Sequence, residues 1–345
     1  MKTKTPQEIY AQTAAFVDVQ PYEYKTTLTH RLGEVATSLL AGESVVAQST
    51  EDSGIQGEIV LTEGDYLEFL RHASPEDRAD IAFLADKMSA YPRFNNRVNN
   101  VLKHEDSESD VLSAGQSSAK VYSLKQDGND YAVKDGGYSY NSIRAFRIGD
   151  SIDRIAHLKA IKPDEGILIM DRLPGKPMTS LTFAEHMAIP TEHIRTAIKT
   201  VIRMNEAGLE IDAHPDNLLY DPEQGFGVVD YAAKPSPEPW PNYRSKANQI
   251  MSWANMFALF PKQDESTIPE SGTQGYADWD LKMAQERIQL FDKFFDVMEE
   301  SYPDVLQQAA NENDWSINGS YMHFPSGEYL DAFKSRLQHL GLGTE

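Results

Sequence analysis

The chain has 345 residues, 40% of them hydrophobic and 25% charged, no cysteine, and 32 basic against 53 acidic side chains, a formal charge of −21. Such a composition can build a globular core and excludes disulfides, thiolate metal sites and cysteine nucleophiles. The acidic balance argues against a nucleic-acid partner, which needs a basic surface, and at its simplest keeps the chain soluble. No run approaches the roughly 18 apolar residues of a membrane span. The basic first eight residues have no apolar segment behind them, so no secretion signal and no membrane partner are expected, and a cytoplasmic location is.

Residues 1–104 read as mainly helical. Residues 6–17 carry Ile9, Tyr10, Ala14 and Phe16 at a loose helical period, and residues 29–40 form a second candidate helix. Residues 54–64 suit a short strand or loop, and Thr62 can cap a helix carrying Tyr66, Leu67, Phe69 and Leu70. Ser74-Pro75-Glu76-Asp77 is a sharper start, with a Ser cap, Pro at the first helical position and acids where the helix dipole favours them. Ile81, Phe83, Leu84 and Met88 come next on one face. No catalytic motif stands in this stretch, which would be a small domain or a helical cap on the strands that begin at Val111. Residues 105–110, acidic and without apolar side chains, read as a linker.

From Val111 the pattern turns to strands. Residues 111–124 read as a strand, a small-residue turn (Gly115, Gln116, Ser117, Ser118) and a second strand. Small residues there let backbone N–H groups approach phosphates. Gln126 to Asp130 is a hairpin turn, and Tyr131-Ala132-Val133-Lys134 the third strand. A lysine at that end can reach phosphates as a point charge, although an ordinary meander with a surface lysine reads the same way. A helix over residues 138–148, an alternating strand over 155–161, a turn at 162–166 and a buried strand at 167–170 follow. Asp171-Arg172-Leu173-Pro174-Gly175 closes the series of five strands with one helix between the third and fourth.

Residues 191–207 form an amphipathic helix with Ile194, Ile198, Val201, Ile202 and Met204 inward, ended by Gly208. Directly after it stands Asp212-Ala213-His214-Pro215-Asp216-Asn217. An acid with an Asn five residues on can supply a proton acceptor for an attacking hydroxyl and a metal ligand against ATP phosphates. Residues 218–229 then form a hairpin that delivers Asp230, a second acid thirteen residues after Asn217. Mg²⁺ is usually held by one or two protein oxygens together with substrate phosphates. The proline-bearing stretch 232–241 is expected to be extended, with helices over 243–260, 279–301 and 329–340 whose aromatic stripes read as core.

Taken together these motifs resemble the protein-kinase-like superfamily, closest to its aminoglycoside phosphotransferase and choline kinase branch. Residues 115–122 are similar to that branch's G-x-S-x-A-x-V-[YF] nucleotide loop, residues 131–134 to its third-strand lysine motif, and residues 173–175 to its post-hinge segment. Residues 212–217 fit its D-x-H-P-x-N loop, and Asp230 stands at its metal-binding Asp. The resemblance covers residues 111–260. It implies an α+β, bilobal protein-kinase-like fold, with a five-stranded N-lobe over 111–173, a helical C-lobe over 174–345, and an additional mainly helical N-terminal region. It implies ATP and Mg²⁺ as cofactors and Asp212 as the catalytic base. Asn217 and Asp230 would be the metal ligands. Lys134 and the loop Gly115, Gln116, Ser117 and Ser118 would hold the phosphates, and Met170, Asp171 and Leu173 would stand at the adenine hinge.

The chain departs from the family in three places. The helix after Lys134 has no acid to pair with the lysine, with Ser142 about where Glu is expected and Asp150 and Asp153 past its end. Glu210 stands where His is usual, and Ile211 precludes the Arg-based activation-loop control. Asp230-Tyr231-Ala232 replaces D-F-G, with no A-P-E segment after it. His214 is expected to pack or hydrogen-bond within its loop. Gly149-Asp150-Ser151 lacks the D-x-x-H partner of an esterase, and no zinc spacing occurs among the 9 histidines. The expected activity is transfer of phosphate from ATP to a hydroxyl of a small molecule or protein, a cationic acceptor suiting the acidic surface. The alternatives are a nucleotide-binding pseudokinase scaffold and AMP transfer on the same fold.

Overall fold

The structure, a computed structural model, describes residues 45–47, 59–61, 74–103, 111–114, 120–136, 140–211, 215–233, 250, 253–254, 256–257, 268–311, 335–336 and 338–339. It is a mixed α+β protein whose strands pair antiparallel in four sheets. The chain divides into two compact units, residues 1–150 with 157–172, and residues 151–156 with 173–345. The expected helices over 6–17, 29–40 and the one capped by Thr62 lie outside the described residues, as does most of those over 243–260 and 329–340. Within 54–64, β2 (Ile59–Leu61) pairs with β1 (Val45–Ala47).

In the first unit, helix α1 (Pro75–Ala90) begins as its sequence dictates: the Ser74 hydroxyl accepts the Asp77 N–H at 3.0 Å, and Glu76 and Asp77 occupy the first turn. A 3₁₀ turn, Tyr91–Arg93, joins it to α2 (Asn95–Lys103). Next come β3 (Val111–Ala114), β4 (Lys120–Gln126), β5 (Asn129–Asp135), helix α3 (Tyr140–Gly149), β6 (Leu158–Lys162) and β7 (Ile167–Asp171). The five strands form one sheet in the order β3-β4-β5-β7-β6. The β4–β5 turn is tight because Asp127 and Gly128 both take positive φ, 51° and 79°, the conformation that matches the strand twist.

The alternation of β4 turns Tyr122 and Leu124 inward, where they join Val133, Ala160, Ile167 and Ile169. The far side of this core is not sheet but helix: Tyr91, Phe94 and Val98. The segment 75–103 is therefore built into the unit rather than separate from the strands. Each buried Val, Leu, Ile or Phe side chain of this core contributes about 1.5–3 kcal/mol. The expected strand over 155–161 starts later, at Leu158. The backbone before it is engaged in the second unit, where Ala156 N–H donates to Val228 O and Val228 N–H to Arg154 O, each at 2.9 Å.

The second unit carries β8 (Lys176–Pro177), α4 (Phe183–Ala188), α5 (Thr191–Glu206), β9 (Leu209–Ile211), β10 (Leu218–Asp221), β11 (Gly225–Val228), β12 (Tyr231–Ala233), α6 (Gln274–Ser301) and α7 (Pro303–Asn311). Its sheets are β11-β10-β8 and β12-β9. Helix α6 starts before the expected 279 because Thr273 caps it, accepting the Tyr276 N–H at 3.2 Å. An aromatic series ties the β10–β11 hairpin to α6. Tyr220 and Phe226 lie 4.9 Å apart between ring centres, Phe226 and Phe257 5.1 Å, and Phe257 and Phe294 5.2 Å. No helix among the described residues is long and apolar enough to cross a membrane.

Candidate functional site

The β10–β11 hairpin positions the two metal-ligand candidates. Its turn is closed by the Asp221 carboxylate, which accepts the N–H groups of Glu223 at 2.9 Å and Gln224 at 2.8 Å. Leu218 pairs with Val228, and the ladder extends one step further as Val229 N–H donates to Asn217 O at 3.0 Å. Asn217, half-buried, thus enters the hairpin opposite the residue before Asp230, which is exposed. An amide oxygen and a carboxylate are hard oxygen donors of the kind Mg²⁺ takes. Among the described residues no group of three or more His, Asp or Glu is arranged to hold a metal ion.

The segment after β7 is fastened to the same hairpin. Leu173 lies over Gly227, where a Cβ would come within 2.8 Å of Leu173 Cδ1. Gly175 has φ +106°, and a Cβ there would meet the Tyr220 carbonyl carbon and oxygen at 2.5 Å, so only glycine fits. β8 then pairs with β10, Pro177 sitting where an edge strand tolerates a missing donor. In the 3₁₀ turn Met178–Ser180, the Thr179 hydroxyl donates to the Asp216 carboxylate, one residue before Asn217.

A buried His186 and a half-buried Lys293 hold that turn and helix α4. His186 is 2% exposed, its Nε2 donating to Met178 O at 3.0 Å. Burial pushes the imidazole pKa below its ordinary value. Lys293 Nζ donates to Met187 O and Ile189 O, each at 2.6 Å, closing the carbonyl end of α4. At the other end a capping box joins Thr182 and Glu185. The hydrogen bond from Lys176, with the Thr182 backbone and hydroxyl behind it, brings the Glu185 carboxyl down to about 2.

The other candidates belong to the first unit. Lys134, half-buried on β5, pairs with Val121 of β4 and Leu168 of β7. Met170 and Asp171 end β7. The Asp171 carboxylate is engaged by Lys159 Nζ at 2.8 Å and His157 Nδ1 at 3.4 Å. Burial pushes this carboxyl up, but the hydrogen bonds from His157 and Lys159 outweigh burial and hold it below the usual range. The amides here are also used, Asp171 N–H on His157 O at 3.0 Å and Arg172 N–H on Asp130 O at 3.2 Å. Leu173, Asn217 and Asp230 are thus gathered in one unit, and Lys134, Met170 and Asp171 in the other. Asp212, His214 and the loop Gly115, Gln116, Ser117 and Ser118 lie outside the described residues.

Helix α3, which comes after Lys134, carries arginines instead of an acid. Arg144 Nε donates to Asp80 Oδ2 of α1 at 2.8 Å, Arg147 Nε donates to Asp80 Oδ1, and Arg144 also bonds Asp77 at 3.1 Å. The Asp80 side chain is fully buried, while the two arginines keep 21% and 25% exposure. Removing the carboxylate would take their buried partner from both guanidinium groups, at a cost on the order of 3 kcal/mol. Neither this clamp nor the Thr179–Asp216 contact has a local sequence signal, since the partners stand 64 and 37 residues apart. No protein-family model matches this chain, and no curated protein matches it.

Proposed function

We propose that the chain is an ATP- and Mg²⁺-dependent phosphotransferase of protein-kinase-like, bilobal fold, acting on a hydroxyl of a small molecule or protein in the cytoplasm. The observation that carries the reading is the hairpin that joins Asn217 to Asp230 through the Val229–Asn217 hydrogen bond. Five antiparallel strands with a single helix between the third and fourth, and Lys134 on the third, support it further. Asp212 would orient the acceptor hydroxyl and take its proton as the oxygen bonds to the γ-phosphorus, ADP leaving with the electron pair of the broken P–O bond. Asn217 and Asp230 would hold magnesium, which neutralises phosphate charge when bound with the nucleotide. Lys134 would hold the α- and β-phosphates. Such catalysis is mostly positioning and charge neutralisation.

The test is turnover of ATP with Mg²⁺ against panels of small and protein acceptors, cationic ones included, together with autophosphorylation. Asp212→Asn and Asp230→Asn should each lower the rate at least about 10²-fold. No turnover and no autophosphorylation in the unaltered protein would sink the reading. The absence of an acid from α3 favours a second reading, a nucleotide-binding scaffold without transfer. A melting-temperature rise with ATP that does not depend on Mg²⁺ would favour it, and a product carrying AMP rather than phosphate would point to nucleotidyl transfer.

A further inference from the structure

In a phosphotransferase of this kind, the helix after Lys134 should be held by an acid of its own that meets the lysine, and residues 140–149 contain none. What the helix does contain is a basic face, Arg144 and Arg147, three residues apart and so on one side. That face meets α1, the main packing partner of α3 among the described elements. At the contact stands Asp80, whose side chain is fully buried and accepts from both arginines, one through each carboxylate oxygen. Asp77 and Glu76 extend the contact outward, at 3.1 Å and 3.8 Å from Arg144.

Helix α1 is itself fixed. It packs on β6, and the chain that leaves it drives Tyr91, Phe94 and Val98 into the core of the sheet. The sheet therefore holds α1, and a buried carboxylate of α1 engages α3, which also buries Ile143, Ala145 and Phe146. Two hydrogen bonds from separate guanidinium groups fix the helix in rotation as well as distance, because sliding or turning α3 would break one of them. From this geometry we infer that Asp80 is a positioning residue of the nucleotide-binding unit, setting the place of α3, which carries no acid of its own, from the N-terminal side. The inference rests on the proposed phosphotransferase reading for its effect on nucleotide. The clamp itself does not.

The experiment uses the full chain and two readouts. Hydrogen exchange over residues 140–149 is compared in the unaltered protein, Asp80→Asn and Val98→Ala, a core variant that loosens the sheet side and leaves the clamp. Affinity for Mg-ATP is measured by calorimetry on the same proteins, below their melting temperatures. Asp80→Asn should expose α3 to exchange while β4 and β5 stay protected, and should weaken Mg-ATP binding roughly tenfold. Val98→Ala at matched loss of melting temperature should keep its affinity, and Asp80→Glu should restore part of the loss. Unchanged exchange in Asp80→Asn overturns the clamp. Faster exchange with unchanged affinity, or an equal affinity loss in Val98→Ala, overturns the positioning role. If the unaltered protein does not bind Mg-ATP, the phosphotransferase reading and the positioning role fall together, and the exchange data still decide the clamp. Should Asp80→Asn not fold, Arg147→Gln removes one arm and carries the same comparisons.

Discussion

Helix α3 and the β10–β11 hairpin each come after a residue expected to face nucleotide, and they differ in their polar anchoring. The hairpin is shaped largely by its backbone, through ladder pairs, an Asp221-closed turn and a close approach at Gly175, and is tied to α6 by the Tyr220–Phe226 aromatic series. Helix α3 buries Ile143, Ala145 and Phe146 and is tied to α1 by side-chain charge, through Asp80. A backbone-held element resists most substitutions and fails where a Cβ cannot fit. An element tied by a buried ion pair is sensitive at a single carboxylate as well. The two regions should therefore respond differently to the same kind of change.

The largest effect should come from Phe94→Ala, which empties the core between α2 and the sheet, where Phe94 is 1% exposed and packs edge-on to Tyr131 at 5.1 Å. A loss of about 3–5 kcal/mol is expected by denaturant unfolding. Exchange should rise in α1, α2 and α3 together and not in the hairpin. A rise in the hairpin as well would break the comparison. Gly175→Ala attacks the other region, forcing a Cβ against the Tyr220 backbone at positive φ. It should cost about 2–3 kcal/mol and free β8 from β10, and near-normal stability would show that the approach is not limiting.

A smaller effect is a pH dependence. Burial lowers the pKa of His186 from its ordinary 6.5, so the unfolded chain binds the proton more readily than the folded one. The resulting stability is complete above 6.5 and is lost as pH falls toward the folded value, with a slope of at most about 1.4 kcal/mol per pH unit. His186→Gln should flatten the curve of melting temperature against pH in that window. An unchanged curve would show that the imidazole does not carry it. The smallest effect is expected from Thr179→Val, which removes a hydroxyl from the exposed Asp216. A change within about 1 kcal/mol is expected, with Thr179→Ser at the unaltered value. A larger loss would mean that the hairpin depends on this polar contact as well as on its backbone and aromatic packing.

Legibility in the sequence divides along the same line. The α1 cap, the five strands, the end of α5 at a glycine of positive φ and the turn before β11 were readable, because each is written within a few neighbouring residues. Asn217 and Asp230 could be placed on one hairpin because the turn between them is local. The Asp80 clamp was not readable, since nothing near residue 80 marks a carboxylate for arginines more than sixty residues on. The late start of β6 was missed for a related reason. Ile155 alternates like a strand residue and does form a bridge, but with Val228. Likewise β8 is too short for a period and contains a proline, so its pairing with β10 shows only in three dimensions.

The bridge between Ile155 and Val228 has a consequence for how the protein can be divided. The chain changes unit between residues 150 and 151, 156 and 157, and 172 and 173. The six residues in the first of these intervals satisfy both backbone groups of Val228. A fragment starting at Leu173 would lose that partner, and one stopping at Arg172 would keep it with nothing to bind. The units are interlaced along the polypeptide, so neither can be cut out, swapped or duplicated as one continuous piece without leaving part of itself in the other.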